Sequence, residues 1–190
     1  IMVERLISFG LKDIVLCVNQ QHEELFRHEF RDLDIQYSVS PSPQGSAGEV
    51  YYARHFVDDD FLVVYSDDLT AIDYDAFINF HDEHDSDISL CVTKEVPLDV
   101  GVADIGEGGE LLAFREKPPI NIPVWTGNAI FKKDFILFFK PNEDIARDVF
   151  PRLLKHGKKI YCYKTDSLWL DIGTLGHYRL AVETFEKRGK

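Results

Sequence analysis

A chain of 190 residues is the size of one domain with a real core. Apolar residues at 45% and charged residues at 28% match a soluble globular protein. The net charge of −12 argues against a nucleic-acid surface, which needs a basic patch, and no apolar run reaches membrane-span length. The first residues lack the charged-then-apolar layout of a signal peptide, so the expectation is a cytoplasmic protein with no membrane partner. Cys17, Cys91 and Cys162 each stand in an apolar strand-like run and read as reduced core residues.

Apolar spacing predicts a helix over Met2 to Phe9, closed by Gly10, then a short strand from Ile14 to Val18. A helix follows over Gln20 to Phe30, with Leu25, Phe26 and Phe30 on one face, and a strand over Ile35 to Val39. Ser40 to Gly48, rich in Pro, Ser and Gly, reads as a loop leading into a helix from Glu49 to Phe56. Asp58-Asp59-Asp60 is a solvated turn before the run Phe61 to Tyr65, whose continuous apolar character predicts a strand buried on both faces of a parallel sheet. Ile72 to His84 is helical, with His81 and His84 continuing the packing stripe of Phe77 and Phe80 as partly buried core-edge residues. A strand follows over Ile88 to Thr93.

Beyond residue 95 the pattern changes. Val100 to Ile105 and Leu111 to Arg115, joined by Gly106-Glu107-Gly108-Gly109, read as a β-hairpin. Trp125 to Phe131 is a strand, with helical stretches around Phe135 to Phe139 and Ile145 to His156. Late strands cover Lys159 to Lys164 and Leu168 to Ile172, and a terminal helix over Leu175 to Lys187 turns Tyr178, Ala181, Val182 and Phe185 inward. The expected fold is a single α/β domain over residues 1–190. It is a three-layer sandwich on a mixed, mostly parallel central sheet, with antiparallel β insertions in the second half. Alternating chains of this kind normally open on a strand; here a first strand and its loop are expected to be missing from the sequence.

Chemistry concentrates where apolar strands end. Ser66-Asp67-Asp68 closes the central strand, at the carboxyl edge where open α/β sheets bind ligands. Alone, the pair reads as a turn with an Asp capping the next helix; with a hard cation such as Mg²⁺ it reads as a phosphate-bridging site. Asp171, at the end of Leu168 to Ile172, reads alone as a helix N-cap, and together with Asp67 as the second arm of a Mg²⁺ clamp. Glu116 and Lys117 end the hairpin strand before Pro118, either as an exposed ion pair or with Lys117 meeting a phosphate and Glu116 accepting from hydroxyls. Gly45-Ser46-Ala47-Gly48 is a flexible loop or a close backbone approach to a flat ligand.

Taken in order, these stretches resemble the sugar-1-phosphate nucleotidylyltransferases, or nucleotide-sugar pyrophosphorylases, with their Rossmann-like fold. Met2 to Val18 is similar to the helix and strand after that family's Pro-Lys-Pro segment, and Gly45-Ser46-Ala47-Gly48 to its Gly-Thr-Ala-Gly base-binding loop. Tyr65 to Leu69 resembles its Asn-Gly-Asp-Val-Leu strand end, which puts the family's metal ligand at Asp67. Gly101-Val102 and Glu116-Lys117-Pro118 match its Gly-Val hairpin and Glu-Lys-Pro signature. Thr126 to Phe131 resembles its Ala-Gly-Ile-Tyr-Val-Phe strand, and Trp169 to Thr174 its Trp-x-Asp-x-Gly-Thr.

The resemblance implies nucleotidyl transfer between a nucleoside triphosphate and a sugar 1-phosphate. It implies Asp67 and Asp171 as Mg²⁺ ligands, Lys117 on the sugar phosphate, and Glu116, Gly101 and Gly127 around the sugar. Gly45, Ser46 and Gly48 are then expected at the base or ribose. The loop has features of both the thymidylyl and guanylyl subgroups, and the expectation leans to guanylyl transfer onto mannose 1-phosphate. The family's Gly-x-Gly-x-Arg-Leu segment has no counterpart here, Ser66 stands where the family has Gly, and Asp68 is an extra carboxylate. Two other functions fit the same residues: a non-catalytic nucleotide-sugar-binding or regulatory homologue, and a metal-dependent glycosyltransferase. The apolar stripes serve a core or a homo-oligomer interface equally.

Overall fold

The computed structural model describes every residue except 95, 98, 99, 117, 121, 189 and 190. Strands and helices alternate through the first half: α1 (Met2–Ser8), β1 (Val15–Asn19), α2 (Glu23–Glu29), β2 (Gln36–Ser40), α3 (Gly45–Ala53) and β3 (Phe61–Val64). There follow β4 (Asp68–Thr70), α4 (Tyr74–Glu83), β5 (Ile88–Thr93), β6 (Val96–Pro97), β7 (Gly101–Ile105), β8 (Leu111–Glu116), β9 (Pro119–Ile120) and β10 (Val124–Phe131). A 3₁₀ turn (Lys133–Phe138) and a π turn (Ile145–Val149) lead into α5 (Phe150–Lys155), β11 (Ile160–Thr165), β12 (Trp169–Asp171) and α6 (Leu175–Arg188).

The central sheet runs β11-β5-β10-β3, parallel at β11/β5 and antiparallel on both sides of β10. Side-chain alternation along these strands builds two cores, one on each face. Ile88, Ala129 and Phe131 meet Ala47 and Val50 of α3, Val149 of the π turn and Phe150 and Leu153 of α5. Cys91 and Ile130 meet Ile72, Tyr74 and Phe77 of the α4 region, with Met2, Leu6 and Phe9 packed behind them. Each fully buried aromatic or branched side chain in these layers contributes about 2 kcal/mol. This is the expected three-layer α/β sandwich. β1 and β2 form a separate parallel pair, β4 and β12 a small antiparallel pair, and β7–β8 the expected hairpin.

Several expectations need correction. β3 pairs antiparallel to β10, and it is only half-buried along its length because among the described residues its other edge has no strand beside it. The predicted loop ends early: α3 begins at Gly45 and takes Gly45 to Gly48 into its first turns. The cap of α4 is Asp73, whose carboxylate accepts from Ala76 N at 3.0 Å, and neither Asp67 nor Asp68. His81 is buried and His84 exposed, so only one of the pair belongs to the core. Cys17 and Cys162 are exposed, and only Cys91 is a core thiol. On α6, Ala181 is buried but Tyr178 and Val182 face outward; the side chain of Phe185 lies outside the described part. α2 buries no residue, and Leu25 is exposed. No described helix is long and apolar enough to cross a membrane.

Candidate active site

β3 ends at Val64, the chain turns through Tyr65 to Asp67, and β4 starts at Asp68. β4 then pairs antiparallel with β12, which sets Asp68 opposite Asp171. Ile172 N donates to Asp67 O at 2.7 Å and Ala71 N to Leu168 O at 2.8 Å, fixing the two strand ends against each other. Successive residues of extended chain point to opposite sides, so Asp67 and Asp68 part company. Asp67 is exposed and turns toward Asp171, while Asp68 is buried against Gly127.

The Asp67–Asp171 approach is read from Gly173. A β-carbon there would stand 3.0 Å from Asp171 Oδ1 and 3.3 Å from Asp67 Oδ2. Glycine keeps open a notch that both carboxylates line. Gly173 N donates to Asp171 Oδ1 at 2.7 Å, and His177 Nδ1 stands 3.6 Å from Asp171 Oδ2. Asp171 does not cap α6; Thr174 does, its Oγ1 accepting from His177 N at 3.2 Å. Among the described residues no group of three or more His, Cys, Asp or Glu is arranged to hold a metal ion by itself. Two carboxylates beside an open notch fit Mg²⁺, which takes one or two carboxylates and completes its shell with phosphate oxygens and water.

Asp68 is a different kind of group. Burial, then the charges of Asp67 and Asp171, push its carboxyl up to about 7, against a weaker opposing hydrogen bond from Trp169. Burial likewise raises the phenol of neighbouring Tyr65 to about 12, and its ring meets Trp125 edge-on at 5.1 Å. Gly127 completes this wall: its φ is +73°, and a β-carbon on it would strike Asp68 Oδ2 and the Tyr65 side chain.

The other expected residues lie in two further places. Gly45, Ser46 and Gly48 open α3 against the segment before the π turn. Ser46 Oγ donates to Asp144 Oδ2 at 2.8 Å and accepts from Ile145 N at 2.9 Å. Ala47 N and Gly48 N donate to Glu143 O at 3.0 and 3.3 Å. Gly45 has φ +74°, and a β-carbon on it would meet Glu143 O at 2.5 Å. The Ser46 hydroxyl is thus engaged within the protein, while no described bond uses the N–H groups of Gly45 and Ser46. Gly101 and Glu116 face each other across the hairpin, with Gly101 under the Phe114 ring and Glu116 exposed. Among the described contacts none joins them to the carboxylates. Lys117 lies outside the described residues.

Residues 1–188 match the family model described as nucleotidyl transferase. The chain belongs to that family. Among its relatives, a UTP–glucose-1-phosphate uridylyltransferase of Synechocystis sp. is 28% identical, over 95% of this chain and 53% of its own length. A mannose-1-phosphate guanylyltransferase catalytic subunit beta of Danio rerio is 29% identical, over 90% of this chain and 51% of its own. The chain therefore spans about half the length of these curated relatives. Its fold is that of HddC from Yersinia pseudotuberculosis complexed with GMP-PN, at TM-score 0.73, 21% identity and coverage of 96% of this chain and 83% of that one. Within Trp169 to Thr174, the sequence pointed to Asp171 but not to the notch at Gly173. A glycine directly between an acid strand end and a helix cap was the available signal.

Proposed function

We propose that the protein transfers a nucleotidyl group from a nucleoside triphosphate to a hexose 1-phosphate, with guanylyl transfer to mannose 1-phosphate as the leading pair. The observation that carries this reading is the convergence of Asp67 and Asp171 on the notch at Gly173. The names of the relatives, which include uridylyl-, guanylyl- and adenylyltransferases of sugar 1-phosphates, support the reaction class. Asp67 and Asp171 would hold Mg²⁺, which when bound neutralises charge on the reacting phosphates. An anionic oxygen of the sugar 1-phosphate attacks the α-phosphorus in line; the bond to the bridging oxygen breaks, and its electron pair leaves with pyrophosphate. No general base is required, because the nucleophile is already ionised. The chain's task is positioning. Gly127 and the hairpin residues Gly101 and Glu116 form the sugar side, with Lys117 on its phosphate; the first turn of α3, with Gly45, Ser46 and Gly48, takes the base or ribose.

A strand that carries the phosphate-binding loop belongs to this reading. Among the described residues, β1 pairs only with β2 and β3 only with β10, so each offers a free edge. α3 packs on β1 and β2 and shares a core with Phe61 and Val63 of β3, which supports one further strand seated between them. The test is pyrophosphate release by the intact gene product given Mg²⁺, sugar 1-phosphates and each nucleoside triphosphate. Release that requires Mg²⁺ and falls at least about 100-fold in Asp67→Asn is expected. Release indifferent to that substitution would contradict the assignment.

A further inference from the structure

Asn128 is a fully buried amide in the middle of a core strand, and nothing above assigns it a task. It sits in the distortion of β10, where Trp125 pairs with Val92 but Ala129 already pairs with Leu90. Four steps along β10 thus face two along β5; Thr126, Gly127 and Asn128 fall in that irregular stretch, while Asn128 keeps its register with Val64 of β3 on the other side. A bulge of this size frees backbone groups that must find partners in a dry place.

Side chains supply them. Asn128 Nδ2 donates to Thr126 O at 2.8 Å, and Trp169 Nε1 donates to the same carbonyl at 3.2 Å. Trp125 Nε1 donates to Asn128 O at 2.9 Å, Thr126 Oγ1 to Cys91 O at 3.0 Å, and Tyr65 N to Gly127 O at 3.2 Å. The remaining acceptor, Asn128 Oδ1, takes the hydroxyl of Tyr74 at 3.0 Å from the first turn of α4. Tyr74, Thr126 and Asn128 have no exposed surface, so no water substitutes for a missing member. The set reaches the carboxylates by two routes. Gly127 abuts Asp68, next to Asp67, and Trp169 stands two residues before Asp171 on the three-residue β12.

We propose that Tyr74 and Asn128 are a positioning pair: together they fix the β10 bulge and, through Gly127 and Trp169, the separation of Asp67 and Asp171. The pair acts at a distance and touches neither substrate nor metal. Removing the Tyr74 hydroxyl orphans Asn128 Oδ1, frees the amide to turn, and withdraws its hold on Thr126 O, the anchor of Trp169. This inference rests on the reading of Asp67 and Asp171 as metal ligands.

The test titrates the intact protein with Mn²⁺ and follows free ion by electron paramagnetic resonance. The site in question is the one lost in Asp171→Asn. Tyr74→Phe, which keeps the ring and its packing on Phe9, and Asn128→Leu are both expected to weaken that site by roughly 10- to 100-fold. Leu153→Ala, which opens a cavity in the opposite core, controls for lost stability; it is expected to lower Tm at least as far and leave the affinity unchanged. Wild-type affinity in Tyr74→Phe overturns the pair's role while leaving the proposed function in place. Absence of any Asp171-dependent site in the wild type overturns the metal reading and this inference with it.

Discussion

Two glycines decide the candidate site, because each leaves room that a side chain would take from a carboxylate. Gly173 clears the notch between Asp67 and Asp171, and Gly127 lets β10 press against Asp68 and Tyr65. Gly127→Ala carries two penalties: a φ of +73° that L-residues rarely adopt, and a β-carbon driven into Asp68. The backbone penalty alone is about 1–3 kcal/mol, so urea unfolding is expected to show a loss of at least that size. A loss under about 0.5 kcal/mol would mean the bulge relaxes freely. At this scale the sequence picked out acids that the structure brings together, and was silent on how differently they are buried. The dipeptide Asp67-Asp68 does not reveal that one carboxylate is exposed and the other buried; that follows from where β4 begins and from its pairing with β12.

At the scale of elements, helices are held to the sheet by apolar stripes with a few buried polar ties. α4 has two such ties among the described residues: Tyr74 to Asn128 of β10, and His81, whose Nδ1 lies 2.8 Å from Ser89 Oγ on β5, while its Nε2 has no hydrogen-bond partner among the described residues and stands 3.8 Å from Asp60. Burial lowers the pKa of His81 below 6.5, outweighing the opposing pull of Asp60 and Asp82. The folded protein therefore resists a proton that the unfolded chain accepts below about 6.5, so this contribution is present above that pH and is lost as pH falls toward the folded value. Thermal unfolding between pH 7 and pH 5 is expected to show a falling Tm that flattens in His81→Gln; parallel curves for the two proteins would contradict it. Element type and order were legible because hydrophobic period and glycine punctuation are local signals. The early start of α3 was not. Gly45 to Gly48 reads as a loop in sequence, and becomes helical because Glu143, Asp144 and Ile145, about a hundred residues away, bond its first turn. The outward face of α6 escaped for a related reason: periodicity groups Tyr178 and Val182 with Ala181 without saying what covers them.

The whole molecule is a three-layer sandwich whose acidic strand ends gather in a chain of net charge −12. Such a surface repels a triphosphate unless cations offset it; in the proposed reaction that offset would come from Mg²⁺ on Asp67 and Asp171 and from basic groups near the phosphates. The separation of β1–β2 from β11-β5-β10-β3 belongs to this scale too, and no local pattern announces it; only the topology reveals, among the described residues, two free edges under one helix. In the proposed reaction the bond between the α-phosphorus of a nucleoside triphosphate and its bridging oxygen is the one broken. The most direct measurement supplies the intact protein with sugar 1-phosphate, Mg²⁺ and triphosphate labelled at the α- or the γ-phosphorus, and follows the label. The α-label is expected in a nucleotide sugar and the γ-label in pyrophosphate. A γ-label recovered in inorganic phosphate or on the sugar, with the α-label left in a nucleoside diphosphate, would contradict it.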